Sequence, residues 1–224
     1  MKTFLPWMLI TGLTGSPVLG FLVVLLLWGA GGSWFVGRLP DFRGPVRRWQ
    51  RARFLRDRLT TNPHDLPART ELAGLVCDSD PAEAITLLGD VLRRYPEDED
   101  AHYFGGLAHL AAGRLAEGHA GIDRALALRA DLRWGEPAVR LGDAYVRAGK
   151  HAQARDAYLR ATTVHASHAE AWFKSARAAL ATGDRAEAKR LWEATLSTTA
   201  GAPPYKRRKD RLWRWRAWWG LRNV

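Results

Sequence analysis

The chain has 224 residues, of which 34 are Lys or Arg, 23 are Asp or Glu, seven are His, eleven are Trp and one is Cys. An apolar content of 47% excludes a disordered tail protein, and one cysteine excludes a disulfide scaffold. The net charge of +11 sits in two patches, eight Arg and two Asp over 38–58 and eight basic residues with one Asp over 206–222, around a mildly acidic body.

No charged residue occurs between Lys2 and Arg38. Within that stretch Val18 to Val36 is 19 residues long, enough as a helix to cross a hydrocarbon core of ~30 Å. Ser16-Pro17 supplies a hydroxyl cap and a proline for the first turn, and Trp28 and Trp34 lie toward the far end, where interfacial aromatics belong. Gly29, Gly31 and Gly32 weaken the last turns and let a second helix approach closely, which allows a homo-oligomer. Phe4 to Leu13 is apolar but too short to span, and Pro6, Gly12 and Gly15 make it an interfacial or re-entrant lead-in. The alternative is a cleaved signal peptide, with Ala30 and Gly32 offering the cleavage site. Against it, the apolar core begins late and a heavily basic flank follows. Eight Arg follow the span while Lys2 precedes it, so the positive-inside rule places the rest of the chain in the cytoplasm.

The stretch 38–62 is expected to be a basic juxtamembrane segment separate from the membrane segment 1–37. Pro45 to Leu59 has helical periodicity, with Val46, Trp49, Ala52, Leu55 and Leu59 on one side. Arg47, Arg48, Arg51 and Arg58 flank that side, so Arg47, Arg48, Trp49, Arg51 and Arg58 are the candidates for contact with anionic headgroups.

After residue 100 glycines and alanines recur at a fixed interval, and a repeat domain is expected over 63–198. Gly149 and Gly183 are 34 apart, as are Ala154 and Ala188, Tyr158 and Trp192, Gly142 and Ala176, and Ala138 and Trp172. The step back from Gly149 to Gly113 is 36, which two extra residues within 129–135 explain. Each unit reads as two helices, the first ended by a glycine and both carrying small residues where they interlock.

This pattern resembles the tetratricopeptide repeat family. Leu141-Gly142, Tyr145, Gly149, Ala154, Tyr158 and Ala161 carry the best match, followed by Trp172, Ala176, Ala179, Gly183, Ala188 and Trp192. Residues 101–130 match with Gly105, His109 and Gly118 in place of the usual Leu, Tyr and Ala. A first unit fits through Leu72-Ala73, Val76, Ala84, Leu88, Val91 and Pro96. The resemblance implies a right-handed α-solenoid of about four helix-turn-helix repeats; with the N-terminal transmembrane helix read above and a capping helix over 199–224, the expected fold is all-α. The whole chain also resembles uncharacterised bacterial membrane-anchored proteins of this repeat class, through the span, Arg-Leu-Pro-Asp at 38–41, Asn-Pro-His-Asp at 62–65 and the Arg- and Trp-rich end.

In such a superhelix the first helix of each unit lines a concave groove. Alignment places Tyr103, Leu107 and Leu110 there, then Val139, Asp143 and Val146, then Phe173, Arg177 and Leu180. That mixture suits a protein or peptide partner held by apolar contact and a few polar anchors, although some of these residues are equally suited to packing between helices. Val139, Asp143 and Phe173 stand where a Lys and Asn clamp binds chaperone C-termini in relatives, which disfavours that ligand. His165 and His168 invite a metal reading, but three or four converging ligands are needed and Cys77 is alone, so neither metal nor cofactor is expected. No G-x-x-x-x-G-K-[ST], G-x-G-x-x-G, H-E-x-x-H or G-x-S-x-G occurs, and no enzyme is expected. Glu97 to Asp100 follow Pro96 at a helix start, where negative charge complements the helix dipole.

In the tail, helical spacing gathers Leu212, Trp215, Trp218 and Trp219 on one face and leaves Trp213 outside it. That face is expected to cover the last repeat; a membrane-surface anchor and a single-stranded nucleic-acid surface are the other readings. The expected function is a membrane-anchored scaffold binding a protein partner at the cytoplasmic face. The alternatives are a periplasm-facing assembly factor or chaperone and, in another class, nucleic-acid binding through the basic tail.

Overall fold

The computed structural model describes Val18 and residues 43–223, so apart from Val18 the expected span lies outside the described residues. Among the described residues no helix is long and apolar enough to cross a membrane. The chain divides into two compact units, 1–51 and 52–224. Among the described residues there are ten α-helices and no strand.

Helix α1 covers Arg43–Thr61. From Ala52 onward its apolar side belongs to the repeat core: Ala52 and Leu55 are buried and Leu59 packs against the same cluster. The expectation that this side faces lipid is therefore corrected for Ala52, Leu55 and Leu59, because the first repeat hairpin offers them a closer apolar surface. Two of the helix's arginines tie it down, Arg56 to Glu83 at 2.6 Å and Arg58 to Asp65 at 2.7 Å. Arg47, Arg48, Trp49 and Arg51 are exposed.

Four helical hairpins follow: α2 (Leu66–Val76) with α3 (Pro81–Arg94), α4 (Glu99–Ala111) with α5 (Leu115–Leu128), α6 (Glu136–Arg147) with α7 (His151–Val164), and α8 (Ala169–Ala181) with α9 (Arg185–Ala200). Side-chain caps set several starts. Asp65, Asp80, Asp98 and Asp184 each accept a hydrogen bond from the backbone N–H three residues on, and His168 does the same for α8 through Nδ1. Gly149, at φ +71°, ends α6 in the left-handed conformation that a side chain would strain. Within each hairpin, small residues allow the interlock. A Cβ on Gly142 would drive into the Tyr158 ring, which is why this position of α6 carries no side chain.

The buried side chains form one cluster running from Ala52 through Leu72, Leu88, Ile122 and Leu141 to Tyr158, and a second one around Phe173, Leu191, Trp192 and Ala217. The second cluster is completed by α10 (Pro204–Arg222), which packs on both α8 and α9 and so caps the solenoid. The face it uses is the reverse of the expected one. Asp210 and Ala217 are buried and Trp213, Gly220 and Leu221 are half-buried, whereas Leu212, Trp215, Trp218 and Trp219 are 48%, 59%, 41% and 56% exposed. The reason is steric. Trp192 fills the surface that α10 approaches, and a Cβ on Gly220 would lie 2.7 Å from its ring. Only the Ala217–Gly220 side comes close enough to pack.

Between α5 and α6 the chain takes three successive left-handed residues, Arg133 at φ 48°, Trp134 at φ 55° and Gly135 at φ 88°. This is where the repeat spacing lengthens. The two non-glycine residues each cost on the order of 1–3 kcal/mol of backbone strain. The Arg133 guanidinium then lies over the rings of Tyr103 (5.2 Å) and Phe104 (4.9 Å) and bonds Asp100 at 3.2 Å.

Candidate functional site: a groove closed at one end and open at the other

Helix α2 packs on α4, α4 on α6 and α8 on α10, and Lys174 of α8 reaches Asp143 of α6 at 2.9 Å, which puts the predicted groove positions along one succession of first helices. In the first half of that succession the face is closed. Tyr103, Leu107 and Leu110 are all buried. Leu110 lies in the space left by Gly118. Beside Tyr103, Arg140 of α6 reaches back to Asp78 at the end of α2, with both carboxylate oxygens at 2.8 Å. Burial, with Glu136 adding to it, holds the Tyr103 phenol well above its ordinary pKa. A side chain so enclosed has no surface left for a ligand.

The middle of the face is mixed. Val139 is buried and Val146 is 40% exposed. Asp143, expected as a polar anchor, is occupied internally. It accepts hydrogen bonds from the Tyr158 hydroxyl at 2.7 Å and from Lys174 at 2.9 Å, and Lys174 also pairs with Glu170 at 2.7 Å. Burial, together with the bond to Asp143, raises the pKa of Tyr158 and keeps its hydroxyl as a donor.

The last part is open. Phe173 is a buried floor, its ring 5.5 Å from that of Trp213, while Arg177 is exposed and Leu180 is 38% exposed. Between these residues and α10 lies a cleft of about 450 Å³, walled on the far side by Trp215, Arg216 and Trp219. Neither Arg177 nor Arg216 pairs with a carboxylate among the described residues; Arg216 lies 5.4 Å from the Trp213 ring centroid. The cleft therefore combines aromatic and aliphatic walls with uncompensated positive charge. Its α10 wall escaped the sequence reading, which placed Trp215 and Trp219 against the repeat. The pair Ala217 and Gly220 carried the signal, since small residues had already marked every interlock within the repeats.

His168 caps α8 and His109 is half-buried. His165 and His168 lie at the junction of α7 and α8, where Lys206 of α10 reaches Ser167 at 2.7 Å and His165 at 3.4 Å. Burial lowers the pKa of His168 and, together with nearby Arg114, that of His109, which sits in the interface usually filled by Tyr. Among the described residues no three His, Cys, Asp or Glu side chains converge as a metal site requires.

A model of the tetratricopeptide repeat matches residues 78–133 and 139–203, more than half of the chain, and the protein belongs to that family. Solved structures agree in fold. The crystal structure of MamA aligns with a TM-score of 0.57 and 22% identity, over 66% of this chain and 85% of that one. TTC0263, a thermophilic repeat protein of Thermus thermophilus, aligns at 0.56 with 16% identity, over 81% and 94% of the two chains. YrrB, described as a repeat protein with an unusual peptide-binding site, aligns at 0.53 with 15% identity, over 71% and 81%. Among curated proteins none matches the sequence.

Proposed function

We propose that this protein is a non-enzymatic, membrane-anchored scaffold that holds a segment of a partner protein in the open half of the groove. The observation that carries this reading is the cleft between α8 and α10, with Leu180, Trp215 and Trp219 for apolar contact and Arg177 and Arg216 for a carboxylate. Such a surface suits an extended or helical peptide bearing apolar and acidic side chains. The peptide-binding site named for YrrB supports this use of the fold, by analogy alone. The non-enzymatic reading rests on chemistry: the strongly displaced groups, Tyr103 and Tyr158, are enclosed in packing rather than aimed at a shared cavity.

The anchor in this proposal is the uncharged stretch around 18–36, with 1–37 as the membrane segment and the basic start of α1 beside the bilayer. The Arg excess after the span favours a cytoplasmic repeat domain. Alkaline phosphatase fused after Val224 tests this placement. Strong activity would move the domain to the periplasmic side and favour an assembly factor or chaperone there.

The groove reading is tested by photo-cross-linking in cells, with benzoylphenylalanine replacing Val146, Leu180 or Tyr103. One protein cross-linked from 146 and 180, but not from 103, is expected, and Arg177→Glu should remove it. No adduct from 146 or 180 would contradict the groove reading.

A further inference from the structure

We propose that the outward face of α10 is a docking surface for an anionic lipid bilayer. It shares Trp215 and Trp219 with the wall of the cleft, so its test reads position 212, which lies outside that wall. Leu212, Trp215, Trp218 and Trp219 are largely exposed on α10, Trp215 and Trp219 at the edge of the groove cleft, and Tyr205, 79% exposed, extends the same strip toward the helix start. Arg208, Arg211 and Arg222 are exposed among them. The helix has one acidic residue, Asp210, and it is buried on the opposite face, so the outward strip carries no carboxylate. Alternating indoles and guanidinium groups match the two layers of a membrane interface: indoles lie at headgroup depth and guanidinium groups pair with phosphate.

The strip is also held rigidly. Gly220 seats against Trp192, Trp213 against Phe173, and Lys206 against Ser167. Beside it, between α9 and α10, a shallow groove of about 590 Å³ sets Arg211 and Arg214 next to Trp215, Trp218 and Leu196, a basic rim over an apolar wall. Stacked nucleic-acid bases suit this face less well. Trp215 and Trp219 lie near-parallel with ring centroids 6.3 Å apart, and Arg222 lies 4.0 Å over Trp218, which leaves no open slot between paired rings for a base. Indole edges and apolar bodies remain for lipid.

The test uses the full chain with Leu212→Cys carrying a solvatochromic dye; Cys77 is buried. The protein is reconstituted into vesicles of phosphatidylcholine alone, or with phosphatidylglycerol in equal parts, identical in both leaflets so that insertion direction does not matter. A blue shift in the anionic vesicles, absent from the neutral ones and reversed by high salt, is expected. Arg208→Gln, Arg211→Gln and Arg222→Gln together should abolish it. The corresponding triple Lys variant keeps the charge and should keep the shift, which separates loss of charge from loss of fold. Equal emission in both vesicle types would overturn the proposal. So would a shift induced by a single-stranded oligonucleotide and not by anionic lipid, which would assign the face to nucleic acid.

Discussion

The two halves of the groove use the same repeat positions to opposite ends. In the first half Tyr103, Leu107 and Leu110 are buried, while in the last repeat the equivalents of Leu107 and Leu110 are Arg177 and Leu180, both exposed. Neighbouring residues make the difference. Two extra residues before α6 turn the chain so that Arg133 covers Tyr103 and Phe104, and Arg140 reaches Asp78 beside them. Over Phe173 lies Trp213 of α10 instead, and beside that contact α10 stands off far enough to leave a cleft next to Arg177 and Leu180. A repeat motif therefore places a residue on a face, but whether that face is available depends on what the next unit sends back.

The largest effects should fall in the closed half and on the inner side of the cap. Tyr103→Ala and Trp192→Ala each remove an enclosed aromatic ring and should cost ~3–5 kcal/mol in denaturant unfolding. Leu180→Ala and Trp215→Ala, in the open cleft, should stay within ~1 kcal/mol of the parent. Comparable losses at Trp192 and Trp215 would mean that α10 packs through the face assigned here to solvent.

A smaller effect bears on how the first half is closed. A double-mutant cycle on Arg140→Ala and Asp78→Ala should give a coupling of about 0.2–1 kcal/mol, because both side chains keep partial contact with water. Zero coupling would remove this pair from the closing elements.

The smallest expected effect is a pH slope. Burial, with Lys206 and His165 nearby and Glu170 opposing them, lowers the pKa of His168, whose neutral Nδ1 accepts the cap bond from Ala171 at 3.3 Å. The unfolded chain therefore binds this proton more readily than the folded one. Stability should be full above the ordinary histidine range and fall as pH drops through it. His168→Asn keeps a cap acceptor and loses the titration, so the variant should melt with a shallower acid dependence. An unchanged slope would assign the acid sensitivity elsewhere.

Much of the fold was legible because its signals are periodic. Glycine, alanine and aromatic residues in phase located the hairpins, and Leu72, Ala84, Leu88 and Val91 of the first unit are buried as packing requires. The candidate site was legible only in part. Groove positions follow from phase, but burial of Tyr103 depends on Arg133, carried by an insertion outside the repeat. Asp143 looked like an open anchor because its partners Tyr158 and Lys174 are 15 and 31 residues away in sequence. The tail failed for a different reason. Hydrophobicity pointed the tryptophans inward, whereas close approach to Trp192 selected the small residues Ala217 and Gly220.

The contrast between the halves is tested most directly by thiol accessibility in the full chain. Leu107→Cys and Leu180→Cys are each exposed to a maleimide under native conditions, with buried Cys77 as the internal reference. Rapid labelling is expected at 180 and, at 107, labelling only on unfolding, together with Cys77. Equal native labelling at both positions would contradict a groove closed over Leu107 and open at Leu180.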